Sequence, residues 1–151
     1  MEIRRARVRD FPAIQSLVDL LHLPGIADQP WLAPDETTAA IRDRRYWLAL
    51  DGTTPLGTIR IDEHPRLLEI VNLAVAPAAR GDGVGRALVA YAQRLAHHRR
   101  RDLHVGSFHE YGVREFYLRC GFTQQPRDGT IQGHPYYRFR WRPAALHPSR
   151  R

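Results

Sequence analysis

The segment RGDGVGRALV, residues 80–89, sets glycine at three alternate positions directly before a run with helical apolar spacing. Upstream of it, LLEIVNLAV at 67–75 is a near-continuous apolar and β-branched run, typical of a strand that is covered on both faces. Downstream, the apolar spacing continues as a long helix to about residue 99, and DLHVGSF at 102–108 predicts another strand. Strand, helix and strand form a crossover unit with a parallel pair, so we expect an α/β or α+β fold with a mixed sheet.

The N-terminal third predicts one strand followed by two helices. EIRRARV alternates polar and apolar residues, which indicates a first strand at residues 2–7. Asp10 is placed as the N-cap of an amphipathic helix over residues 11–21. A second short helix is expected from Asp35 to about Arg44.

Turn residues mark the remaining elements. YWLALD and LGTIRID stand on either side of GTTP and predict a hairpin. GVREFYLRC predicts a short helix that ends at Gly121 in a left-handed cap, and a strand pair is expected around PRDGT. We expect one domain over residues 1–143 and a flexible tail over 144–151.

Composition excludes several function classes. All 23 basic residues are arginine, so mechanisms that need a lysine are excluded: the phosphate-loop ATPase, the Schiff base and the lysine general base. No apolar run approaches the length of about 18 residues that a membrane span needs, and the charged N-terminus does not resemble a signal peptide. We therefore expect a cytoplasmic protein. The formal net charge of +7 favours an anionic partner, either nucleic acid or a phosphate-bearing small molecule.

The glycine segment is suited to binding an anion. A helix N-terminus offers unpaired backbone N–H groups, and glycine lets the preceding turn bring them around a phosphate. Arg80 and Arg86 can add charge-assisted hydrogen bonds. The spacing is not the dinucleotide fingerprint, since Arg86 stands in place of the third glycine, and no Gly-Lys pair completes an ATPase loop. The alternative is a glycine turn that merely starts a closely packed helix.

RGDGVG resembles the pattern [QR]-x-x-G-x-[GA] of the GNAT superfamily of acetyl-CoA-dependent N-acetyltransferases. The preceding LAVAP and the later EFYLRCGF, which is similar to the family's FYxxxGF block, stand in the family's order and spacing. The resemblance implies a mostly antiparallel central sheet of six to seven strands, with a splayed parallel pair at its centre and helices on both faces. It implies acetyl-CoA as co-substrate, which accounts for the positive charge without nucleic acid.

The same resemblance implies which residues bind the cofactor. The glycine loop would wrap the pyrophosphate, and the strand before it would bond the pantetheine arm through its main chain. Glu110 stands where many relatives have asparagine. The implied set is Leu73, Ala74, Val75, Arg80, Gly81, Asp82, Gly83, Val84, Gly85, Arg86, Glu110 and Tyr117.

Acetyl transfer to an amine needs a base, an oxyanion-binding group and a proton donor for the thiolate. Glu69 lies in the most apolar strand, an environment that strengthens a carboxylate as a base, and EIVNLAV resembles EIVFCAI of the histone-acetylating branch, whose glutamate is the general base. The resemblance makes Tyr117 the proton donor, and main-chain N–H at Leu73 or Ala74 would bind the oxyanion. The alternatives left open are an exposed strand-end Glu69 with another acid or water as base, and a Tyr117 that packs on the inner face of its helix.

Acceptor recognition is expected in the loops around the sheet. Acidic and aromatic side chains attract a cationic amine, which makes Asp28, Trp31, Tyr136 and Tyr137 the predicted pocket residues. The histidines show no ligand spacing, so no metal site is expected.

We therefore expect an N-acetyltransferase that acetylates a primary amine of a small molecule or protein by direct attack in a ternary complex. It would be a monomer or a homodimer that needs no membrane. The alternatives are a catalytically inactive acyl-CoA-binding sensor and a basic nucleic-acid-binding module.

Overall fold

A computed structural model describes residues 1–126 and 129–144 of the chain. Its strands are β1 Glu2–Arg5, β2 Tyr46–Asp51, β3 Thr54–Glu63, β4 Leu67–Val75, β5 Asp102–Phe108, β6 Thr123–Gln124, β7 Gly129–Ile131 and β8 His134–Trp141. Its α-helices are α1 Phe11–Asp19, α2 Pro34–Arg42, α3 Val84–Arg99 and α4 Arg114–Arg119. Among the described residues, no helix combines the length and apolarity needed to cross a membrane.

The strands form a mixed, mostly antiparallel sheet in the order β1-β2-β3-β4-β5-β8-β6, and β7 also pairs with β8. Its parallel pair is β4 with β5, at the centre of this order. The expected fold class is confirmed, with eight strands instead of six or seven because two short strands, β6 and β7, both pair with β8.

The chain divides into two compact units. Unit 1 comprises Met1–Ile61 and Val71–Leu88, and unit 2 comprises Asp62–Ile70 and Val89–Arg151. Both β4 and α3 therefore contribute residues to each unit. The single domain over 1–143 stays a prediction, and the expected tail lies outside the described residues from 145 onward.

In unit 1, α1 and α2 pack on one face of β2. Alternation along β2 directs Tyr46, Leu48 and Leu50 to this face, and the apolar stripe of α1 supplies Ile14, Leu17 and Val18. The core is completed by Ala6, Leu32, Ala40, Ile41 and Ala74.

The other face of the unit 1 sheet receives the first turn of α3. Gly57 of β3 is paired with Ala49 of β2, so both face away from the α1–α2 core. A Cβ atom at Gly57 would lie 2.9 Å from the carbonyl oxygen of Ala74, 3.0 Å from Cγ1 of Val84 and 3.2 Å from Cδ1 of Leu88. The absent side chain lets α3 approach the sheet, and unit 1 has helices on both faces.

Asp10 occupies the N-cap position of α1 as predicted, but its side chain does not bond the helix. Its carboxylate accepts hydrogen bonds from Nη1 and Nη2 of Arg4 at 2.8 and 3.1 Å, and from the backbone N–H of Arg7 at 2.7 Å. It makes no side-chain cap bond to α1 and instead closes a 3₁₀ turn over Val8–Asp10, which ends β1 two residues early. Charge-assisted bonds to a guanidinium outweigh a single cap bond.

In unit 2, α4 ends as predicted. Gly121 has a φ of 90°, and the Schellman bonds run from Gly121 N to Leu118 O at 3.0 Å and from Phe122 N to Tyr117 O at 3.1 Å. The strand pair predicted around PRDGT turns elsewhere: Gln132 and Gly133, with φ of 51° and 80°, connect β7 to β8. Two positive φ values are what a type I′ two-residue hairpin turn requires. Residues 127 and 128 of PRDGT lie outside the described residues.

We predict that Gly57→Ala destabilises the fold by about 1–3 kcal/mol, because the new methyl group meets a backbone oxygen that can retreat only if β4 moves. The measurement is the free energy of unfolding in urea. Gly129→Ala is the matched control, since no described atom lies within 4 Å of its Cβ position. A Gly57→Ala variant as stable as this control would contradict the tight α3 contact.

We predict that Asp10→Asn lowers stability at pH 7 by about 1–2 kcal/mol. The hydrogen bond from Arg4 holds the pKa of Asp10 below its ordinary value; partial burial opposes this shift and the Arg7 N–H reinforces it. A lowered folded-state pKa stabilises the protein above the unfolded pKa of about 3.9, and this contribution is lost as the pH falls through the folded value. The melting temperatures of variant and wild type should therefore converge below about pH 4. Asp43→Asn, which removes the exposed pair with Arg45, serves as control.

Candidate functional site

The glycine loop has an open, left-handed backbone. Gly81 and Gly83 have φ values of 86° and 83°, which glycine adopts without strain. In the described part of the chain, no atom lies within 4 Å of the Cβ position of either residue. The exposed side chains of Arg80 and Arg86 stand on either side of this loop.

The loop leads into backbone donors at the start of α3. The first bond of the helix runs from Ala87 N to Gly83 O at 3.0 Å, so the N–H groups of Val84, Gly85 and Arg86 have no carbonyl of a preceding helical turn to bind. The helix is 16 residues long, and its dipole places partial positive charge at these donors. Open space, free N–H groups and two arginines are suited to a phosphate.

The strand before the loop carries main-chain groups that its parallel ladder does not use. The ladder joins Leu67–Ile70 to Asp102–Val105, whereas β4 continues to Val75. Leu73, Ala74 and Val75 of the predicted cofactor set lie in this continuation. Ala76 N, just beyond it, donates to Leu56 O of β3 at 2.8 Å.

Burial alternates along β4, so one face of this central strand is covered more fully than the other. Leu68, Ile70, Asn72 and Ala74 are buried, and the residues between them are only half-buried. Glu69 lies on the half-buried side with 42% of its side chain exposed. The apolar surroundings expected for it are not found.

Glu69 has a histidine partner instead. Its Oε1 lies 3.0 Å from Nε2 of His64, in the β3–β4 turn. The turn is held by Arg101, whose Nη1 donates to His64 O at 3.3 Å and lies 3.5 Å from Oε1 of Glu63. The sequence analysis did not identify His64. The signal that could have indicated it was a histidine five residues before Glu69, on the other side of a tight turn.

Tyr117 is buried in an aromatic cluster. Its ring centroid lies 5.5 Å from that of Phe122 and 5.4 Å from that of Phe139. Burial raises the pKa of Tyr117, with smaller contributions from Cys120 and Tyr136, so the phenol keeps its proton at neutral pH. The ring of Tyr117 is therefore packed, as the alternative interpretation of this residue expected. The role of its hydroxyl as a proton donor stays a prediction.

The predicted acceptor residues divide between the units. In unit 1, Asp28 is exposed, and the main-chain oxygen of Trp31 accepts from Nδ2 of buried Asn72 at 3.0 Å. The same Nδ2 donates to the hydroxyl of Tyr46 at 2.9 Å, so both amide hydrogens of Asn72 are used. These bonds fix the segment around Trp31 to β4.

In unit 2, Tyr136 and Tyr137 are consecutive on β8 and point to opposite faces. The ring of Tyr136 lies across Gly106 of β5, where its hydroxyl occupies the space of a Cβ atom. The hydroxyl of Tyr137 bonds Nδ1 of His109 at 2.7 Å. The two tyrosines therefore do not face one pocket together.

Glu110, in the 3₁₀ turn His109–Tyr111, forms an ion pair with Nδ1 of His134 on β8. Desolvation by itself raises the pKa of Glu110, but hydrogen bonds from its own N–H and from His134 outweigh it and hold the pKa below its ordinary value. Within residues 1–126 and 129–144, no group of three or more His, Cys, Asp or Glu side chains is arranged to hold a metal ion.

The chain matches the model of one known protein family. Residues 9–122 match the model of the acetyltransferase (GNAT) family. Rv2747 from Mycobacterium tuberculosis, solved in complex with CoA and NLQ, is 26% identical with a TM-score of 0.71, over 87% of this chain and 76% of that one. A comparison with curated proteins gave no match.

Two further solved structures share the fold at lower identity. Ard1 from Thermoplasma volcanium is 15% identical with a TM-score of 0.78, over 94% of this chain and 97% of that one. The PaiA N-acetyltransferase from Thermoplasma acidophilum, in complex with coenzyme A, is 16% identical with a TM-score of 0.75, over 93% and 98%.

Proposed function

The chain belongs to the acetyltransferase (GNAT) family, and on that premise we propose that it is an N-acetyltransferase. It would pass the acetyl group of acetyl-CoA to a primary amine of a small molecule or protein by direct attack in a ternary complex. The observation that carries the proposal is the open glycine loop at the start of α3, with its unused N–H groups. The CoA bound in the structure of Rv2747 supports the same co-substrate.

The proposed cofactor contacts in unit 1 follow from the backbone. The N–H groups of Val84, Gly85 and Arg86 bind the pyrophosphate, and the guanidinium groups of Arg80 and Arg86 add charge-assisted bonds. Gly81, Asp82 and Gly83 shape the turn around it. The main chain of Leu73–Val75 bonds the pantetheine arm. Glu110 and Tyr117 of unit 2 complete the proposed set.

The proposed reaction needs no covalent enzyme intermediate. The amine nitrogen attacks the thioester carbonyl, a C–N bond forms and the C–S bond breaks. Glu69 takes the proton of the amine through the oxygen that does not bond His64, and Tyr117 donates a proton to the leaving thiolate. A buried phenol with a raised pKa is a weak acid, so its contribution is greatest as a hydrogen-bond donor to the developing sulfur charge.

We predict that Gly83→Val weakens acetyl-CoA binding at least about tenfold, because a β-branched residue at this positive φ distorts the turn that aims the N–H groups. The fold should persist, since the position is open. The measurement is calorimetric titration with CoA. Gly52→Val, at a φ of 59° in an equally open turn, controls for strain alone. Unchanged affinity in a folded Gly83→Val would contradict the pyrophosphate assignment.

We predict that Tyr117→Phe lowers kcat by about 10²-fold or more while acetyl-CoA affinity is kept, because it removes only the hydroxyl from the aromatic cluster. The measurement is acetyl-CoA-dependent release of free thiol over a panel of amines. Tyr91→Phe, on α3, is the control.

The outcomes separate the alternatives. Full activity in Tyr117→Phe would contradict the proton-donor role and would mean that Tyr117 serves only in packing. If wild type binds acetyl-CoA and turns over no amine, the inactive sensor gains support. Affinity for nucleic acid that falls steeply with salt and does not respond to acetyl-CoA would favour the basic binding module.

A further inference from the structure

One face of the sheet in unit 2 gathers charged side chains. The register pairs Glu69 of β4 with His104 of β5, His104 with Arg140 of β8, and Gly106 with Arg138. Residues directly opposite each other project to the same side of a sheet. Glu69, His104, Arg138 and Arg140 thus share one side, which we call the charged face. The opposite side carries Phe139, which packs against Tyr117.

Tyr136 belongs to the charged face, because its register partner is Phe108, two residues beyond Gly106. Its ring lies across Gly106, and the guanidinium carbon of Arg138 is 5.8 Å from the ring centroid. Burial raises the pKa of Tyr136; the charge of Glu69 adds to this and that of Arg138 opposes it. An aromatic surface therefore lies within electrostatic range of both charges.

Two arginines of this face have no acidic ion-pair partner in the described part of the chain. Arg142, one residue beyond β8, pairs with Asp102 at 3.3 Å, and Glu69 bonds His64. Among the described residues, neither Arg138 nor Arg140 forms an ion pair with an acidic side chain. Guanidinium groups bind a carboxylate through paired hydrogen bonds. The charged face thus presents one carboxylate and two arginines that are free to bind an anion.

We propose that the amine acceptor also carries a carboxylate, which Arg138 and Arg140 bind while its amine is directed to Glu69. The inference rests on the proposed acetyl transfer and names its substrate class. Two interstrand steps of about 4.8 Å separate β4 from β8 by about 10 Å. His104 lies between Glu69 and Arg140 in this register, so the acceptor would lie over His104, with Tyr136 on the same side of the sheet.

The experiment compares kcat/KM for phenylalanine and alanine with kcat/KM for their α-amides and decarboxylated amines. The wild type should prefer each carboxylate at least about tenfold, since a charge-assisted pair is lost in the comparators. Arg138→Gln and Arg140→Gln should each reduce this preference severalfold or more, because KM rises more for the acids than for the amides. Arg142→Gln, one residue beyond the end of β8, should keep the preference, because Arg142 already pairs with Asp102. Melting temperatures confirm that the variants are folded.

Equal kcat/KM for acids and amides in the wild type would overturn this substrate class and leave acetyl transfer standing. An equal loss of kcat/KM for acids and amides in Arg138→Gln would also overturn this substrate class and leave acetyl transfer standing. If no amine is acetylated, the proposed function fails, and the carboxylate site is then tested by titrating N-acetylphenylalanine into the protein with CoA. Saturable binding that Arg138→Gln weakens and Arg142→Gln does not supports the site; absence of binding overturns it.

Discussion

The missing side chain at Gly57 allows the first turns of α3 to approach β3 and β4 closely. Its Cβ position lies against Val84 and Leu88 on the first turns of the helix and against the carbonyl oxygen of Ala74 in β4. Both parts of the proposed cofactor site in unit 1, the loop amides and the strand main chain, are therefore set by one close contact. A phosphate-binding turn needs its backbone N–H donors positioned to within a few tenths of an ångström. Close packing against a rigid strand holds them in position.

The long periodic elements could be predicted from sequence, whereas the surroundings of single side chains could not. β2, β4, β5 and α3 begin and end at the predicted residues, because each has a strong apolar period bounded by turn residues. Asp10 stands at the predicted N-cap position, but its carboxylate binds Arg4, six residues earlier, instead of the helix. Sequence also predicted the glycine loop correctly as a turn before a helix, since its residues are local to one another.

The part of the candidate site in unit 2 was harder to predict, because it depends on strand register. The alternation of β4 leaves Glu69 half exposed, and only the register reveals that it shares a side with Arg138 and Arg140. The same register separates Tyr136 from Tyr137. The partner of Glu69, His64, is brought near by a turn whose backbone Arg101 holds, a contact between residues 37 positions apart. Such contacts leave no periodic trace in a single sequence.

The fit of Tyr136 across Gly106 couples two positions on adjacent strands. Any residue larger than glycine at position 106 would displace the ring of Tyr136, and loss of that ring would leave a shallow depression above Gly106. The effects of substitutions at positions 106 and 136 are consequently non-additive. A variant library that changes only one of the two positions contains mostly proteins in which the ring and the glycine no longer fit. Efforts to redesign this enzyme's preferences would have to randomise 106 and 136 as a pair.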